Sequence, residues 1–164
     1  MTTSVAISVR GDGALADAVR SALIMTVPAD TAAVIVPRVP EPAPLAELTD
    51  EHLAAEVGDA LDAVLADVQA ALPVARLVFV LPADPVMGIS GGAAASAVTN
   101  AVLSMARTLA IELARDGTSV NVLAVGSTTA LQAQLAALLG EGGRDITGQE
   151  VYLTGGTDLG RVHP

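Results

Sequence analysis

Five short apolar runs alternate along this chain with segments of helical periodicity, and this alternation is the strongest constraint on its fold. The runs are residues 4–9, 33–36, 77–81, 120–125 and 150–154. Between them, apolar residues recur every three or four positions, as Leu15, Val19 and Leu23 do in the first helical segment. Strands that alternate with helices are typical of a parallel sheet covered on both faces. The pattern predicts a three-layer α/β domain with five mostly parallel strands.

Capping and breaking residues set the expected helix boundaries. Helices are expected over 14–23, 49–72, about 92–117 and 131–139. Thr49 has the side chain of an N-cap, and Pro73 ends the second helix. Residues 37–44 contain four prolines and predict an extended connector. Residues 23–27, LIMTV, leave a short extra edge strand open as an alternative.

The composition fits one domain with a core of small side chains. The chain has 164 residues, of which 52% are hydrophobic and only 1% aromatic. A core of Ala, Val and Leu suits a parallel sheet with closely packed helices. We therefore expect a single domain over residues 1–164.

Charge and residue content exclude several classes of function. The net charge of −10 opposes binding to nucleic acid or to an anionic membrane surface. No apolar run approaches the roughly 20 residues of a membrane helix, and the N-terminus lacks the basic region of a signal peptide. The absence of cysteine excludes disulfides, thiol catalysis and thiolate metal sites. A cytoplasmic protein is the default expectation.

Residues 95–126, ASAVTNAVLSMARTLAIELARDGTSVNVLAVG, resemble a helix and strand of a known family. The short-chain dehydrogenase/reductase family reads roughly YxASKAAVxxLTRxLAxELAxxGIxVNxVAPG there. The positions in register are Thr108 to Ala110, Glu112 to Ala114, Gly117, Val120, Asn121 and Gly126. Residues 48–73 and 145–156 also resemble segments of that family. The resemblance implies a Rossmann-like domain related to ketoacyl reductases of the family.

The family's catalytic positions carry no proton-transfer groups in this chain. In register, the catalytic asparagine, serine, tyrosine and lysine fall on Ala60, Pro82, Ala95 and Thr99. All eight basic residues are arginine, and Tyr152 is the only tyrosine. A tyrosinate assisted by lysine therefore cannot form within this chain. The resemblance implies the family's scaffold without its catalytic residues.

The cofactor segments also depart from the family pattern. The three glycines of its phosphate loop fall on Arg10, Ala14 and Ala16, which leaves Gly11 and Gly13 as weak candidates for a shifted loop. Ser127 and Thr128 stand where the family contacts nicotinamide and phosphates; a residual contact there and a simple capped loop are the two alternatives. The blocks that bind adenosine and cover substrate are missing. No cofactor is therefore expected. NAD(P) is expected only under the alternative that the chain is an oxidoreductase.

The same deletion creates a problem of connectivity. In the family, the strand after the first helix and the AVIV strand at 33–36 lie on opposite sides of the first strand. A direct connection through residues 14–32 conflicts with the right-handed crossover rule unless the helix changes faces. The strand order at this edge stays open at this stage.

The other polar residues give no independent site. His52 and His163 are isolated and are expected in solvent, so no metal site is predicted. Asp50, Glu51, Glu56 and Asp59 are interpreted as the solvated side of a helix start. Tyr152 is expected to pack in the last strand.

These observations predict a non-catalytic subunit with a structural or regulatory role. The expected partners are a second copy or an active member of the family, bound through the two long helices and the last strand. Two alternatives stay open: an NAD(P)-dependent oxidoreductase of ketoacyl-reductase type, and a small-molecule binding module that uses the vacated cleft.

Overall fold

The computed structural model describes residues 6–161, which form an α/β domain with three layers. Its strands are β1 (Ile7–Arg10), β2 (Ala32–Ile35), β3 (Arg76–Pro82), β4 (Ser119–Val125) and β5 (Glu150–Leu153). Its α-helices are α1 (Ala14–Leu23), α2 (Asp50–Leu53), α3 (Asp59–Ala71), α4 (Ala83–Met87), α5 (Ala93–Glu112) and α6 (Leu131–Leu139). The five strands form one parallel sheet in the order β1-β2-β3-β4-β5. The predicted fold class is confirmed.

Alternating side chains divide the core between the two faces of the sheet. On one face, Leu77, Phe79 and Leu81 of β3 pack with α3 and α5. On the other face, Val78 and Val80 pack with α1 and α6. β3 and β4 are buried along almost their whole length because helices cover both faces.

Most element boundaries agree with the sequence expectations. α1 and α6 have the predicted bounds, and Gly117, at a left-handed φ of 77°, follows the turn that ends α5. The predicted helix over 49–72 contains a π-helical turn at Ala54–Gly58, which separates α2 from α3. α4 was not predicted. Among the described residues, 24–27 form a turn and irregular backbone, so the alternative of an extra strand there is wrong; residues 4 and 5 of the first predicted strand lie outside the described part.

The strand order settles the connectivity at the first edge. β1 is an edge strand beside β2, and every crossover steps in the same direction across the sheet. Because α1 and α6 lie on one face and α3 and α5 on the other, the two pairs of crossovers have opposite hands. Two of the four crossovers are therefore left-handed, against the strong general preference. The conflict foreseen from the short first connection is present in the fold.

The long helix α5 corrects one expectation from composition. With the turn that follows it, residues Ala93–Asp116 reach the length and mean hydropathy, 1.2, of a membrane span, although no segment was expected to. Val98, Val102 and Ala106 on this helix are buried against the sheet. The apolar character of α5 is explained by its place in the core of the domain.

Replacement of Phe79 tests the central packing. Phe79 is the only phenylalanine, and its side chain is fully buried among aliphatic groups. Truncation of this side chain would leave a cavity between them. We expect Phe79→Ala to lower the free energy of unfolding by about 3–5 kcal/mol in urea titrations. The control Ile111→Ala removes a side chain that is 77% exposed and changes stability by less than about 0.5 kcal/mol. Equal effects of the two variants would contradict the described core.

Candidate functional site

Open parallel sheets bind ligands at the carboxyl ends of strands, where neighbouring strands send their helices to opposite faces. This sheet has two such places. One lies between β1 and β2, which lead to α1 and α3, and the other between β3 and β4, which lead to α5 and α6. Gly11 and Gly13 follow β1, and Ser127 and Thr128 follow β4, so these candidate residues lie at the two places.

The turn between β1 and α1 is packed against β2. Gly11 has a φ of +111°, and a Cβ at Gly11 would lie 2.0 Å from the carbonyl oxygen of Val36. The Val36 N–H donates to the Arg10 carbonyl at 2.8 Å, which extends the pairing of the strands to this point. Arg20 Nη2 donates to the Gly11 carbonyl at 2.5 Å. Only glycine fits at position 11, because the backbone that follows β1 contacts the backbone that follows β2.

The first turn of α1 offers few features of a phosphate site. Gly13 precedes the helix at a φ of +89° and has open space around its α-carbon. Asp12 and Asp17 are both exposed near this end of the helix, and Asp17 pairs with Arg20 at 3.0 Å. The exposed Asp12 carboxylate opposes the approach of a pyrophosphate to the backbone N–H groups at the start of α1.

Ser127 and Thr128 lie in the loop that leaves β4. The Ser127 hydroxyl accepts a hydrogen bond from the Thr129 N–H at 3.4 Å and caps a short 3₁₀ turn at Thr128–Ala130. The Ser127 N–H donates to the Leu153 carbonyl at 2.9 Å, which holds the loop against β5. This geometry favours the capped-loop alternative for Ser127.

The four positions that the resemblance aligns with the family's catalytic residues lie on α3, at the end of β3 and on α5. Ala60 and Ala95 are both 1% exposed, and Pro82 ends β3. The Thr99 hydroxyl is fully buried and donates to the Ala95 carbonyl at 3.0 Å. None of these four side chains carries an acid or a base, and the one hydroxyl among them is used inside its own helix.

A cleft that sequence reasoning missed lies beyond the carboxyl end of β2. We call it the Arg38 cleft; its volume is about 420 Å³, within the range of small-molecule sites. Its walls come from the proline connector, the start of the second helical segment and the first turn of α5. The lining residues are Arg38, Val39, Pro40, Glu41, Ala43, Leu48, His52, Glu56 and Ala94.

Arg38 links the connector to the π-helical turn beside this cleft. Its guanidinium donates to the Ala55 carbonyl at 3.2 Å and lies 3.5 Å from a carboxylate oxygen of Glu56. A π-helical turn leaves backbone groups without their usual helical partners, and the arginine occupies one of them. His52 Nδ1 lies 3.2 Å from the Glu47 carbonyl oxygen.

The cleft offers both signs of charge to a small polar ligand. Arg38 and His52 supply donors, and Glu41 and Glu56 supply carboxylates. His52 and Glu56 had been interpreted as part of a solvated helix side, since nothing in the local sequence shows that the connector folds back onto them. Within residues 6–161, no group of three or more His, Cys, Asp or Glu residues is arranged to hold a metal ion. His163 lies outside the described residues.

Tyr152 on β5 has an environment that disfavours its charged form. Burial raises the pKa of Tyr152, and the Glu150 carboxylate raises it further, against a smaller opposite effect of Arg107. Arg107 Nε donates to Glu150 at 2.6 Å, and this contact raises the pKa of the guanidinium. A phenol with a raised pKa is poorly suited to proton transfer near neutral pH.

Comparisons with solved structures find similar folds in a dehydrogenase and a reductase. No protein-family model matches the sequence, and no curated protein matches it. One similar solved structure is 4-hydroxyisoleucine dehydrogenase complexed with NADH and succinate, with a TM-score of 0.63 and 16% identity over 74% of this chain and 67% of that one. Another is YwfH, an NADPH-dependent reductase involved in bacilysin biosynthesis, with a TM-score of 0.66 and 17% identity over 76% of this chain and 66% of that one.

These similarities concern the arrangement of the backbone. The chain spans about two thirds of the length of the solved structures it matches. At such low identity, likeness of structure shows the fold and not the activity. This chain has the Rossmann-like fold found in NAD(P)-dependent dehydrogenases and reductases.

Proposed function

We propose that this chain is a shortened, non-catalytic member of the short-chain dehydrogenase/reductase family that acts as a structural or regulatory subunit in the cytoplasm. The observation that carries the proposal is the chemistry at Ala60, Pro82, Ala95 and Thr99. Three of these side chains cannot transfer a proton, and the Thr99 hydroxyl bonds to its own helix. The resemblance implies that an active reductase of this family carries asparagine, serine, tyrosine and lysine at these positions.

The first turn supports the cofactor part of this proposal. Gly11 packs against Val36, and its carbonyl is bonded by Arg20. Ala16, at a family glycine position, is fully buried within α1. Asp12 adds negative charge where a pyrophosphate would bind. The residues present do not fit a dinucleotide, and no reaction step is assigned to one.

The outer side of α3 and α5 supports the association part. Ala97 and Ser104 on α5 are small and exposed, which permits close approach of another helix. The same two helices also expose large apolar side chains. Leu65 on α3 is 47% exposed, and Ile111 on α5 is 77% exposed. Together with the open edge of β5, this helix face would bind a second copy or an active member of the family.

Two other functions keep a specific observation in their favour. The structural neighbours include a dehydrogenase with bound NADH and an NADPH-dependent reductase, which favours an oxidoreductase of ketoacyl-reductase type. The Arg38 cleft, with its mixed charges, favours a small-molecule binding module. Both alternatives require a ligand, so ligand binding separates them from the proposed subunit.

Titration with NADH and NADPH is the direct test of the cofactor claim. Because Gly11 is packed against Val36 and the turn carries the exposed Asp12 carboxylate, we expect no saturable binding below about 1 mM, which corresponds to less than about 4 kcal/mol of binding energy. Isothermal calorimetry provides the measurement, with an active reductase as positive control. Micromolar binding of either nucleotide would contradict the proposal and favour the oxidoreductase.

The titration of Tyr152 tests whether any phenol here is tuned for catalysis. As the only tyrosine, it alone sets the ultraviolet phenolate signal. We expect a midpoint above the ordinary value of about 10, returning to that value in denaturant. The folded state holds the Tyr152 proton more tightly than the unfolded state does. The contribution of this group to the free energy of unfolding is therefore complete below pH about 10 and is lost as pH rises through the raised pKa.

The variant Glu150→Gln is the internal control for this titration. It removes the second cause of the shift, so the midpoint should move down towards its ordinary value but remain raised by burial. A midpoint of the unmodified protein at or below about 10 would contradict the described environment.

Association through the helices is tested by a charge on their outer side. Ser104→Arg places a long cation in the middle of the exposed side of α5 and should reduce the mass of any complex formed there. Gln132→Arg, on the exposed side of α6, introduces the same charge elsewhere and should leave the mass unchanged. Light scattering of each variant, alone and mixed with an active reductase, gives the masses. Equal masses for the two variants would contradict the helix interface.

A further inference from the structure

The outer edge of β1 is open in the described part of the chain. β1 pairs with β2 on one side, and no described residue pairs with its other side. The carbonyls of Ala6 and Arg10 accept from Ala32 and Val36 of β2. Because backbone groups alternate along a strand, Ile7 and Val9 direct their N–H and C=O groups outward. The edge therefore offers two donors and two acceptors.

This edge has few of the features by which proteins usually block strand addition. Such features are very short strands, charged side chains, proline, bulges or a covering loop. β1 contains no proline, and its only charged side chain, Arg10, is 3.5 Å from Asp67 of α3. Ser8 is exposed and uncharged. β1 is short, with four residues, but neither a proline nor an unpaired charge in it opposes pairing with another strand.

An apolar surface flanks the open edge on the α1 side. Ile24, Met25 and Val27 are 77–86% exposed, a concentration unusual for solvent-facing residues. Ile24 also lines a groove of about 320 Å³ with Ile7 and Val9. A strand added to β1 would place every second side chain in this groove, so apolar residues are favoured at those positions.

We propose that a second copy of this chain occupies the edge, with the two β1 strands antiparallel about a two-fold axis at Ser8. In this register Ile7 lies opposite Val9 of the second copy, and both direct their side chains to the α1 side. These residues are the ones with outward backbone groups, so each such pair exchanges two hydrogen bonds. The pairing joins two five-stranded sheets into one of ten strands.

The charge distribution also suits a second copy at this place. The chain carries −10 overall, so most contacts between copies place carboxylates together. β1 has no carboxylate, and in the proposed register Arg10 lies opposite the uncharged Ala6. Arg20, which lines the groove, is paired with Asp17 on α1. No carboxylate of β1 or of the groove lining therefore opposes self-association at this edge.

A cysteine scan tests the register, since the natural chain has no cysteine. Ser8 faces itself across the axis as a non-hydrogen-bonded pair, whose α-carbons lie about 4.5 Å apart, within the range of a disulfide. Ser8→Cys should therefore form a covalent dimer under mild oxidation. Ala6→Cys lies on the same side of the same strand but opposite Arg10, so alone it should stay monomeric. Equal cross-linking of both variants, or of neither, would overturn the proposed register.

Mass measurements separate this edge from the helix interface of the proposed function. In the background of Ser104→Arg, the mass should remain twice the 16.3 kDa of the chain. Adding Ile24→Asp should weaken that dimer at least about tenfold, whereas Leu45→Asp, at an equally exposed position, should not. Circular dichroism checks that each variant is folded.

Each outcome bears on one proposal. A folded Ser104→Arg variant that is monomeric, together with no cross-linking of Ser8→Cys, overturns the edge dimer and leaves the helix interface standing. Pairing of the edge only with a different protein, and never with itself, also overturns it. A dimer of Ser104→Arg that is weakened by Ile24→Asp supports the edge, and it counts against the helices only where the unmodified chain has the same mass as Ser104→Arg.

Discussion

The two-sided burial of β3 and β4 is the constraint on which the rest of the structure depends. Successive side chains of these strands enter separate apolar clusters, so each strand needs helices on both faces. With hardly any aromatic volume available, the clusters are filled by Val, Leu and Ala, and helices must lie close to the sheet. A shift of one residue in either strand would exchange the two clusters, which fixes the register strongly. The loops at the strand ends are positioned by this register.

The short connection between β1 and β2 determines both the contact at their carboxyl ends and the position of β1 in the sheet. Because only residues 11–31 join β1 to β2, these strands are neighbours, and their carboxyl ends meet at Gly11 and Val36. At this point the backbone leaves no room for a Cβ at position 11. The same connection leaves β1 at the edge of the sheet. The close contact at Gly11 and the open strand edge therefore have one cause.

Elements with local signals could be predicted, and features that depend on distant contacts could not. α1 and α6 were predicted with their bounds because their apolar spacing and flanking glycines are local. The burial of Arg76 at the start of β3 depends on Asp30, which is 46 positions away and also binds Arg144. The Arg38 cleft was missed for the same reason: its walls come from three separated segments. Periodicity cannot show which loops meet.

Several residues that resemble the family motif have structural tasks in this fold. Asn121 donates to the Ile146 carbonyl at 2.8 Å and accepts from the Gln149 N–H at 3.0 Å, so it holds the loop that leads into β5. The Thr147 hydroxyl accepts from the Val120 N–H, and Gly117 adopts the left-handed conformation that joins α5 to β4. These interactions stabilise the frame without involving any reactive group. Likeness at positions that serve packing and loop placement therefore indicates a fold rather than an activity.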